Sequence, residues 1–179
     1  MPDEISHLIW AYLMLKHPKI SSHPSFQKKR DILATYFFAI LPDLGNLLML
    51  ILLLGFMRYN NIQSSIGPGA MENPTVQDAF TSVRVIYYIF HSYVTMAVLL
   101  LIAYVLLRRL YLPLLLGMGL HLTLDVFTHR DATALKPLYP LSDATINGIV
   151  HWGSWTFYIA EIALMLVYTL WLYRATRKR

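Results

Sequence analysis

Four long apolar runs alternate with polar segments along the chain, at residues 32–57, 85–107, 112–128 and 149–173. Each run is close to the length of about 17 to 25 residues that a helix needs to cross roughly 30 Å of hydrocarbon. The pattern therefore predicts four transmembrane helices. An earlier apolar stretch, residues 5–15, is too short to span and predicts a short N-terminal helix packed against or partly within the bundle.

This pattern predicts an all-α fold, a polytopic membrane helical bundle that forms a single domain over residues 1–179. The composition agrees, because 56% of the residues are hydrophobic and only 14% are charged, which indicates a bilayer rather than water as the solvent. The chain has no cysteine. Histidine, aspartate and glutamate are therefore its only strong metal ligands.

The net charge of +5 is concentrated beside the apolar runs. Basic residues cluster at 16–30, at 108–109 and at 174–179, and alternate threading of the runs places all three clusters on one side of the membrane. The positive-inside rule makes that side cytoplasmic, together with the C-terminus. We therefore expect an integral protein of a prokaryotic inner membrane, with the lipid bilayer as its partner and no nucleic-acid partner. The pattern leaves the oligomeric state open.

Ionisable side chains occur in every predicted span, although each costs about 2.5 to 3.5 kcal/mol on insertion scales. With a rise of about 1.5 Å per residue, four of them lie in one slab, about 18 to 26 Å from the basic side. His7 joins them if its short helix dips into the bundle. His151 and Glu161, in the last span, do not share a helical face, and we predict polar contacts within the bundle for both, with His151 the better alternative candidate for the site. The four residues of the slab are Asp43, His91, His121 and Asp125.

The segment GLHLTLDVFTH, residues 119–129, places His121, Asp125 and His129 at steps of four. Residues at i and i+4 lie on one helical face, so His121 and Asp125 can bind one cation. A buried hydrogen-bonded pair explains the same spacing. The predicted spans hold no Lys or Arg to neutralise the carboxylates, which favours a divalent cation, and zinc, manganese and iron all accept imidazole and carboxylate ligands.

The segment ILPDLGN places Asp43 directly after Pro42. A proline inside a helical run predicts a kink or a break, which turns the next side chain inward. The alternative is that Asp43 caps a helix that restarts after Pro42, and Asn46 suits either interpretation. For His7 and His91, the alternative to a metal ligand is a histidine satisfied within the bundle.

The order of these motifs resembles the YdjM-like family of membrane-bound metal-dependent hydrolases. It comprises an early His7, LPD at 41–43, HS at 91–92, and GLHLTLDVFTH followed by LKPLYPLS. The ligand order is also distantly similar to that of zinc-dependent phospholipase C. The chain departs from the family pattern at Gly45, where a further aspartate is frequent, at Ile86 and Tyr87, where a histidine and an arginine are frequent, and at Phe90, which replaces a threonine.

The resemblance implies one metal held by Asp43, His91, His121 and Asp125, with His7 and Asp125 holding a second. Zinc is the expected metal. The implied activity is hydrolysis of a phosphoester in a small, lipid-linked or amphiphilic substrate by metal-activated water, which Asp43 or Asp125 orients as the catalytic carboxylate.

Three residues beyond the third span complete the prediction. His129 is a further ligand or a neighbour of the ligands, and Arg130 and Lys136 either hold an anionic head group or are ordinary loop charges. Two other functions fit the same residues. One is an ion or proton transporter that uses the intramembrane His/Asp cluster, and the other is a non-catalytic membrane protein that the cluster holds together.

Overall fold

A computed structural model describes residues 2–60, 74–151 and 153–177, without the side chains of residues 2–4 and 132. Residues 61–73, most of the first predicted external loop, lie outside the described residues. So do Trp152 and the last two members of the third basic cluster, Lys178 and Arg179.

The described residues form seven α-helices and two short 3-10 turns, and an isolated bridge between Leu135 and Ile146 is their one β contact. The predicted all-helical class is confirmed. The 3-10 turns cover Pro24–Phe26 and Asp131–Thr133. The helices are α1 (Pro2–Leu15), α2 (Pro18–Ser21), α3 (Lys29–Tyr59), α4 (Pro74–Phe90), α5 (Tyr93–Leu107), α6 (Leu112–Thr128) and α7 (Trp155–Arg177).

Two helices, α3 and α7, are long and apolar enough to cross a membrane, which is compatible with a membrane protein. A third span exists if α4 and α5, which meet at an angle of 51°, are one broken span. Helix α6 is also apolar but has only 17 residues. The prediction of four transmembrane helices is therefore confirmed only in part.

The prediction of one unbroken helix over residues 85–107 is wrong, because the chain breaks at His91 and Ser92. The Ser92 backbone is extended, and its Oγ accepts a hydrogen bond from the Val94 N–H at 3.0 Å, which starts α5. The Ser92 hydroxyl in turn lies 2.5 Å from the Tyr139 carbonyl oxygen, and the Tyr93 N–H donates to the Pro137 carbonyl at 2.9 Å. The loop after α6 thus supplies the partners that stabilise the break.

Pro42 does not interrupt α3, which runs continuously from Lys29 to Tyr59. The alternative that Asp43 caps a restarted helix is therefore wrong. Pro42 is fully buried, and α3 packs along its length against α6 and α4. Neighbouring helices commonly stabilise a transmembrane helix through a proline.

A close approach of α6 to α3 forms the centre of the bundle. A Cβ atom at Gly117 would lie 2.4 Å from the Thr35 carbonyl oxygen and 2.9 Å from the Ala39 backbone nitrogen. Those are backbone atoms, which cannot rotate away, so only glycine allows this approach. His121 and Asp125, one and two turns beyond Gly117, consequently face α3.

Helix α7 packs on α1 and α2 at the side of the bundle. The Glu161 carboxylate accepts hydrogen bonds from the Ser6 hydroxyl and, at 3.2 Å, from the Trp10 indole. Glu161 is therefore a polar contact within the bundle, as predicted. His151 differs from the prediction, because it is exposed in the loop before α7, where its Nδ1 accepts a hydrogen bond from Gly153.

Candidate metal centre

Four helices bring five ionisable side chains to one place between α1, α3, α4 and α6. His7 comes from the middle of α1, Asp43 from α3, and His91 follows the last residue of α4. His121 and Asp125 come from α6. Four of the five side chains are at most 2% exposed, and Asp43 is 13% exposed.

The carboxylate of Asp125 lies at the centre of the group. Its Oδ2 is 3.0 Å from His121 Nε2 and 3.5 Å from His91 Nε2. Its Oδ1 is 3.1 Å from His7 Nε2. Three imidazole nitrogens from three helices therefore point at one carboxylate, and the His7 and His121 rings stack with their centroids 3.8 Å apart.

Asp43 closes the other side of the group. One of its oxygens lies 3.8 Å from His91 Nε2, and the other lies 3.8 Å from His121 Nδ1. Two triads of possible ligand atoms result, each within 4.8 Å of one another: His7, His121 and Asp125, and Asp43, His91 and His121. His121 belongs to both triads. This buried His/Asp group could bind a metal ion.

Backbone carbonyls set the orientation of two of the imidazole rings. His121 Nδ1 lies 2.7 Å from the Ala39 carbonyl oxygen, and His91 Nδ1 lies 3.0 Å from the Tyr87 carbonyl oxygen. In a neutral ring that donates its Nδ1–H, the other nitrogen carries a lone pair. Metal-binding histidines are commonly fixed in this way by a hydrogen bond on the opposite nitrogen. Both lone pairs here face the carboxylates.

Several acceptor atoms of the group are buried and make no hydrogen bond within the described part of the chain. They are Asp43 Oδ2, His91 Nε2, His121 Nε2 and both carboxylate oxygens of Asp125. Buried polar atoms are normally satisfied, and lone pairs facing one another repel, so such a group is costly by itself. Cations held by the two triads would satisfy these acceptors.

The spacing of the group suits coordination of a cation. Zinc binds imidazole nitrogen and carboxylate oxygen at about 2.0 to 2.2 Å, so neighbouring ligand atoms in a tetrahedron lie about 3.3 to 3.6 Å apart. The nitrogen to oxygen distances in the group range from 3.0 to 3.8 Å. The donor set and its spacing therefore fit a small divalent cation.

Of the three residues predicted beyond the span, only His129 lies at the cluster. It is buried at the end of α6, with its Nδ1 3.7 Å from Asp125 Oδ1 and 3.2 Å from the Thr128 hydroxyl. Arg130 is exposed, and a guanidinium nitrogen lies 3.4 Å from the Ile149 carbonyl oxygen.

Lys136 lies against the outer part of α4. Its Nζ is 2.6 Å from the Asp143 carboxylate and 4.8 Å from the centroid of the Tyr88 ring. The hydrogen bond to Asp143 raises the pKa of Lys136 above its ordinary value. The described contacts of Lys136 and Arg130 are thus those of loop residues.

Sequence reasoning missed Tyr87 and underestimated Ser92. The Tyr87 ring lies 4.3 Å from the His91 ring, and its hydroxyl donates to the Thr133 carbonyl at 2.8 Å. Its position four residues before His91, on the same helical face, is a signal that could have identified it. Ser92 is visible only as the residue after His91, because its carbonyl partners lie in a distant loop.

Two departures from the family pattern touch each other in the structure. A Cβ atom at Gly45 would lie 2.6 Å from Cγ of Phe90 and 2.8 Å from its Cβ. The Phe90 ring therefore occupies the space that a side chain at residue 45 would need. An aspartate cannot be accommodated there unless Phe90 moves.

Searches with this chain found no match among protein-family models, curated proteins or solved structures. The resemblance to YdjM-like proteins therefore rests on the order of its motifs.

Proposed function

We propose that this chain is an integral membrane metal-dependent hydrolase of the YdjM-like kind, which acts on a phosphoester of a lipid-linked or amphiphilic substrate. The observation that carries the proposal is the convergence of three imidazoles and two carboxylates from four helices, buried and with unsatisfied acceptor atoms. In the fold that we propose, α6 and the bent pair of α4 and α5 count as spans, which gives four transmembrane helices besides the short α1.

Zinc is the metal that we propose, and manganese and iron are the alternatives that the same ligands accept. Asp43, His91, His121 and Asp125 would hold one ion, and His7 would hold a second together with Asp125. Because Asp125 is a ligand of both ions in this assignment, its removal is expected to empty the whole centre, whereas removal of His121 is expected to release the first ion. His7 contributes to one triad, so its removal is expected to affect only the second ion.

A bound divalent cation supplies a water of lowered pKa and polarises a phosphoryl oxygen. The two carboxylates then have different tasks. Asp43 is the most exposed member of the group, and we assign it to orient the attacking water and accept its proton. Asp125 is surrounded by His7, His91 and His121, and we assign it to keep these rings in position. His129, beside Asp125, supports it from the end of α6.

The proposed surroundings follow from the apolar exterior and the basic clusters. The bilayer is the partner, and we place the protein in a prokaryotic inner membrane with its C-terminus in the cytoplasm, because the basic clusters then lie inside. A site buried between apolar helices suits a substrate that reaches it from the lipid. Arg130 and Lys136 are the proposed contacts for an anionic head group.

Metal analysis of detergent-purified protein tests this proposal. Wild type is expected to carry stoichiometric metal, whereas His121→Ala and Asp125→Ala are expected to lose it. His151→Ala is the matched control, because His151 is an exposed loop histidine, and it should keep the metal. A panel of phosphoesters should be hydrolysed by wild type and by His151→Ala alone.

Two results would contradict the proposal in different ways. A metal-free wild type with unchanged variants would favour a proton relay or a scaffold. Stoichiometric metal without hydrolysis of any phosphoester would indicate a structural metal.

A further inference from the structure

Helix α6 has two different faces. The face that carries Gly117, His121 and Asp125 is buried against α3. The opposite face forms one wall of an apolar cleft of about 360 Å³ that opens to the outside of the bundle. Its residues follow a helical stripe, at Leu112, Leu115, Leu116, Gly119, Leu120 and Thr123.

The other wall of the cleft comes from α1 and from the connection between α1 and α3. Met14, Ile20 and Phe26 supply it. Phe26 also lines a neighbouring cavity of about 290 Å³, which contains Lys16 and Ser21. The buried side chain of Phe26 therefore separates the apolar cleft from the cavity that contains the Lys16 ammonium group and the Ser21 hydroxyl.

The cleft has the length of one leaflet. Its stripe on α6 runs from Leu112 to Thr123, a span of eleven residue steps that is about 17 Å at a rise of about 1.5 Å per residue. Half of a hydrocarbon core of about 30 Å is about 15 Å. An acyl chain lying along α6 would therefore extend from the membrane surface to the midplane.

The connection between α1 and α3, which supplies Ile20 and Phe26 to the wall of the cleft, is basic. The connection between α1 and α3 contains no acidic residue, and Asp31, the first acid after it, is buried within 3.5 Å of the Arg30 guanidinium. The connection is also structured, because His17 and His23 cap its two helical turns. Its cations are Lys16, Lys19 and Lys28, and Lys29 and Arg30 follow in the first turn of α3.

We infer that this cleft binds one anionic phospholipid of the leaflet on the basic side. An acyl chain lies along the α6 stripe, and the phosphate lies beside Lys16 and Ser21, on the other side of Phe26. Charge complementarity selects an anionic head group, since basic clusters beside a membrane helix attract anionic lipids. This inference concerns the face of α6 opposite to the metal ligands, and it does not depend on the proposed hydrolase activity.

Native mass spectrometry of the full chain in neutral detergent tests the inference, with dioleoyl phosphatidylglycerol as the probe and dioleoyl phosphatidylcholine for comparison. Wild type is expected to retain one phosphatidylglycerol in preference to phosphatidylcholine. Lys16→Gln should weaken the binding of phosphatidylglycerol about fivefold, the effect of one lysine near a membrane surface. Arg174→Gln is the matched control, because Arg174 is an exposed basic residue of α7, and it should bind as wild type does.

A second pair of variants tests the apolar part of the site. Gly119→Leu fills the cleft and should reduce the binding of both lipids tenfold or more. Gly55→Leu, where an added Cβ meets nothing within 4 Å, is its control and should change neither. If Gly119→Leu does not fold, Leu115→Trp fills the same cleft from its exposed side.

Three results would overturn the inference: equal binding of phosphatidylglycerol to Lys16→Gln and Arg174→Gln, unchanged lipid binding after the cleft is filled, or displacement of the lipid by millimolar inorganic phosphate. The last would mean that the cations bind free phosphate. Metal content and hydrolysis are separate measurements, so failure here leaves the proposed function untouched.

Discussion

At the scale of single residues, the central feature of the candidate site is the carboxylate of Asp125, which lies among three imidazole rings. Imidazole nitrogens lie 3.0, 3.1 and 3.5 Å from its two oxygens, and neither oxygen makes a hydrogen bond within the described residues. If the His91 and His121 rings are neutral and no cation is present, their Nε2 lone pairs face the lone pairs of the carboxylate. The centre is then strained until a cation or a proton enters it.

We therefore expect Asp125→Asn to separate metal binding from stability. The neutral amide can donate to His121 Nε2 or His91 Nε2, so the metal-free variant should be more stable than metal-free wild type by about 1 kcal/mol or more. Its metal affinity should fall at least tenfold. Thermal unfolding with zinc and with a chelator measures both effects, since bound metal raises the midpoint by mass action.

Asp143→Asn is the control for that comparison, because its carboxylate is 81% exposed. It should leave both the stability and the metal response close to those of wild type. A zinc-dependent rise in the midpoint of Asp125→Asn that equals the wild-type rise would contradict the assignment of Asp125 as a ligand.

Part of this group could be predicted from the sequence, because its geometry is local. His121 and Asp125 are one turn apart on α6, so the spacing alone places them on one face. The contact of Asp125 with His7 could be expected only from the depth of each residue, since the two come from different helices. The Ala39 and Tyr87 carbonyls that orient the rings could not be predicted, because every residue has a carbonyl and no pattern distinguishes these two.

At the scale of helices, close packing of α6 on α3 depends on Gly117. A methyl group at this residue must displace the Thr35 carbonyl, 2.4 Å from where the Cβ would lie. We expect Gly117→Ala to destabilise the protein by about 1 to 3 kcal/mol and to weaken metal binding, because His121 and Asp125 move away from α3 with the helix. Unfolding in mixed detergent and SDS, with metal analysis, measures both.

Gly55→Ala is the matched helical control for that substitution. An added Cβ at Gly55 meets nothing within 4 Å, so the variant should gain about 0.5 to 1 kcal/mol from helix propensity. Equal effects at the two glycines would show that the close approach is unimportant.

The contact between α3 and α4 gives a second prediction at this scale. Gly45→Asp should destabilise the protein because the Phe90 ring fills the space, and Phe90→Thr should destabilise it by leaving a cavity. In the double variant the smaller threonine side chain makes room for the aspartate. The loss of unfolding free energy should therefore be smaller than the sum of the two single losses by about 0.5 to 3 kcal/mol. Unfolding free energies of the three variants measure this coupling.

Gly55→Asp combined with Phe90→Thr is the control pair, because Gly55 has no neighbour within 4 Å of its Cβ position. Those two changes should add without coupling. Additive losses at residues 45 and 90 would contradict the contact.

The helices differ in how far the sequence predicts them. Helix α6 begins and ends at the predicted residues, Leu112 and Thr128, because Pro113 suits its first turn and a polar loop follows it. The break between α4 and α5 was not predictable. Residues 85–107 are apolar on both sides of it, and the carbonyls that hold Ser92 belong to Pro137 and Tyr139, more than forty residues later in the chain.

At the scale of the whole molecule, the open feature is the number of times the chain crosses the membrane. The lengths and compositions of the helices allow two or three crossings. The chain contains no cysteine, so a single introduced thiol reports its own side of the membrane without background. With four crossings, Ser22→Cys and Leu110→Cys should react with a membrane-impermeant maleimide from one side. Ala144→Cys should react from the other.

The cysteine-free wild type is the control and should remain unlabelled. Labelling of Ala144→Cys from the same side as Ser22→Cys would contradict the four-crossing arrangement. The all-helical class could be predicted from the sequence because its apolar runs are long and contiguous. The attachment of α7 could not be predicted. Its Glu161 contacts Ser6 and Trp10 at the opposite end of the chain, and such a contact leaves no local sequence pattern.

The position of His7 in α1 has a consequence for biogenesis. The ribosome delivers this histidine before any of its partners, and Asp125 follows only after most of the chain has been synthesised. No intermediate of insertion that lacks α6 can contain a closed centre. Any cation that the centre binds is therefore captured late, after α6 has been synthesised, and α7, which contributes no residue to the centre, is not needed for that step.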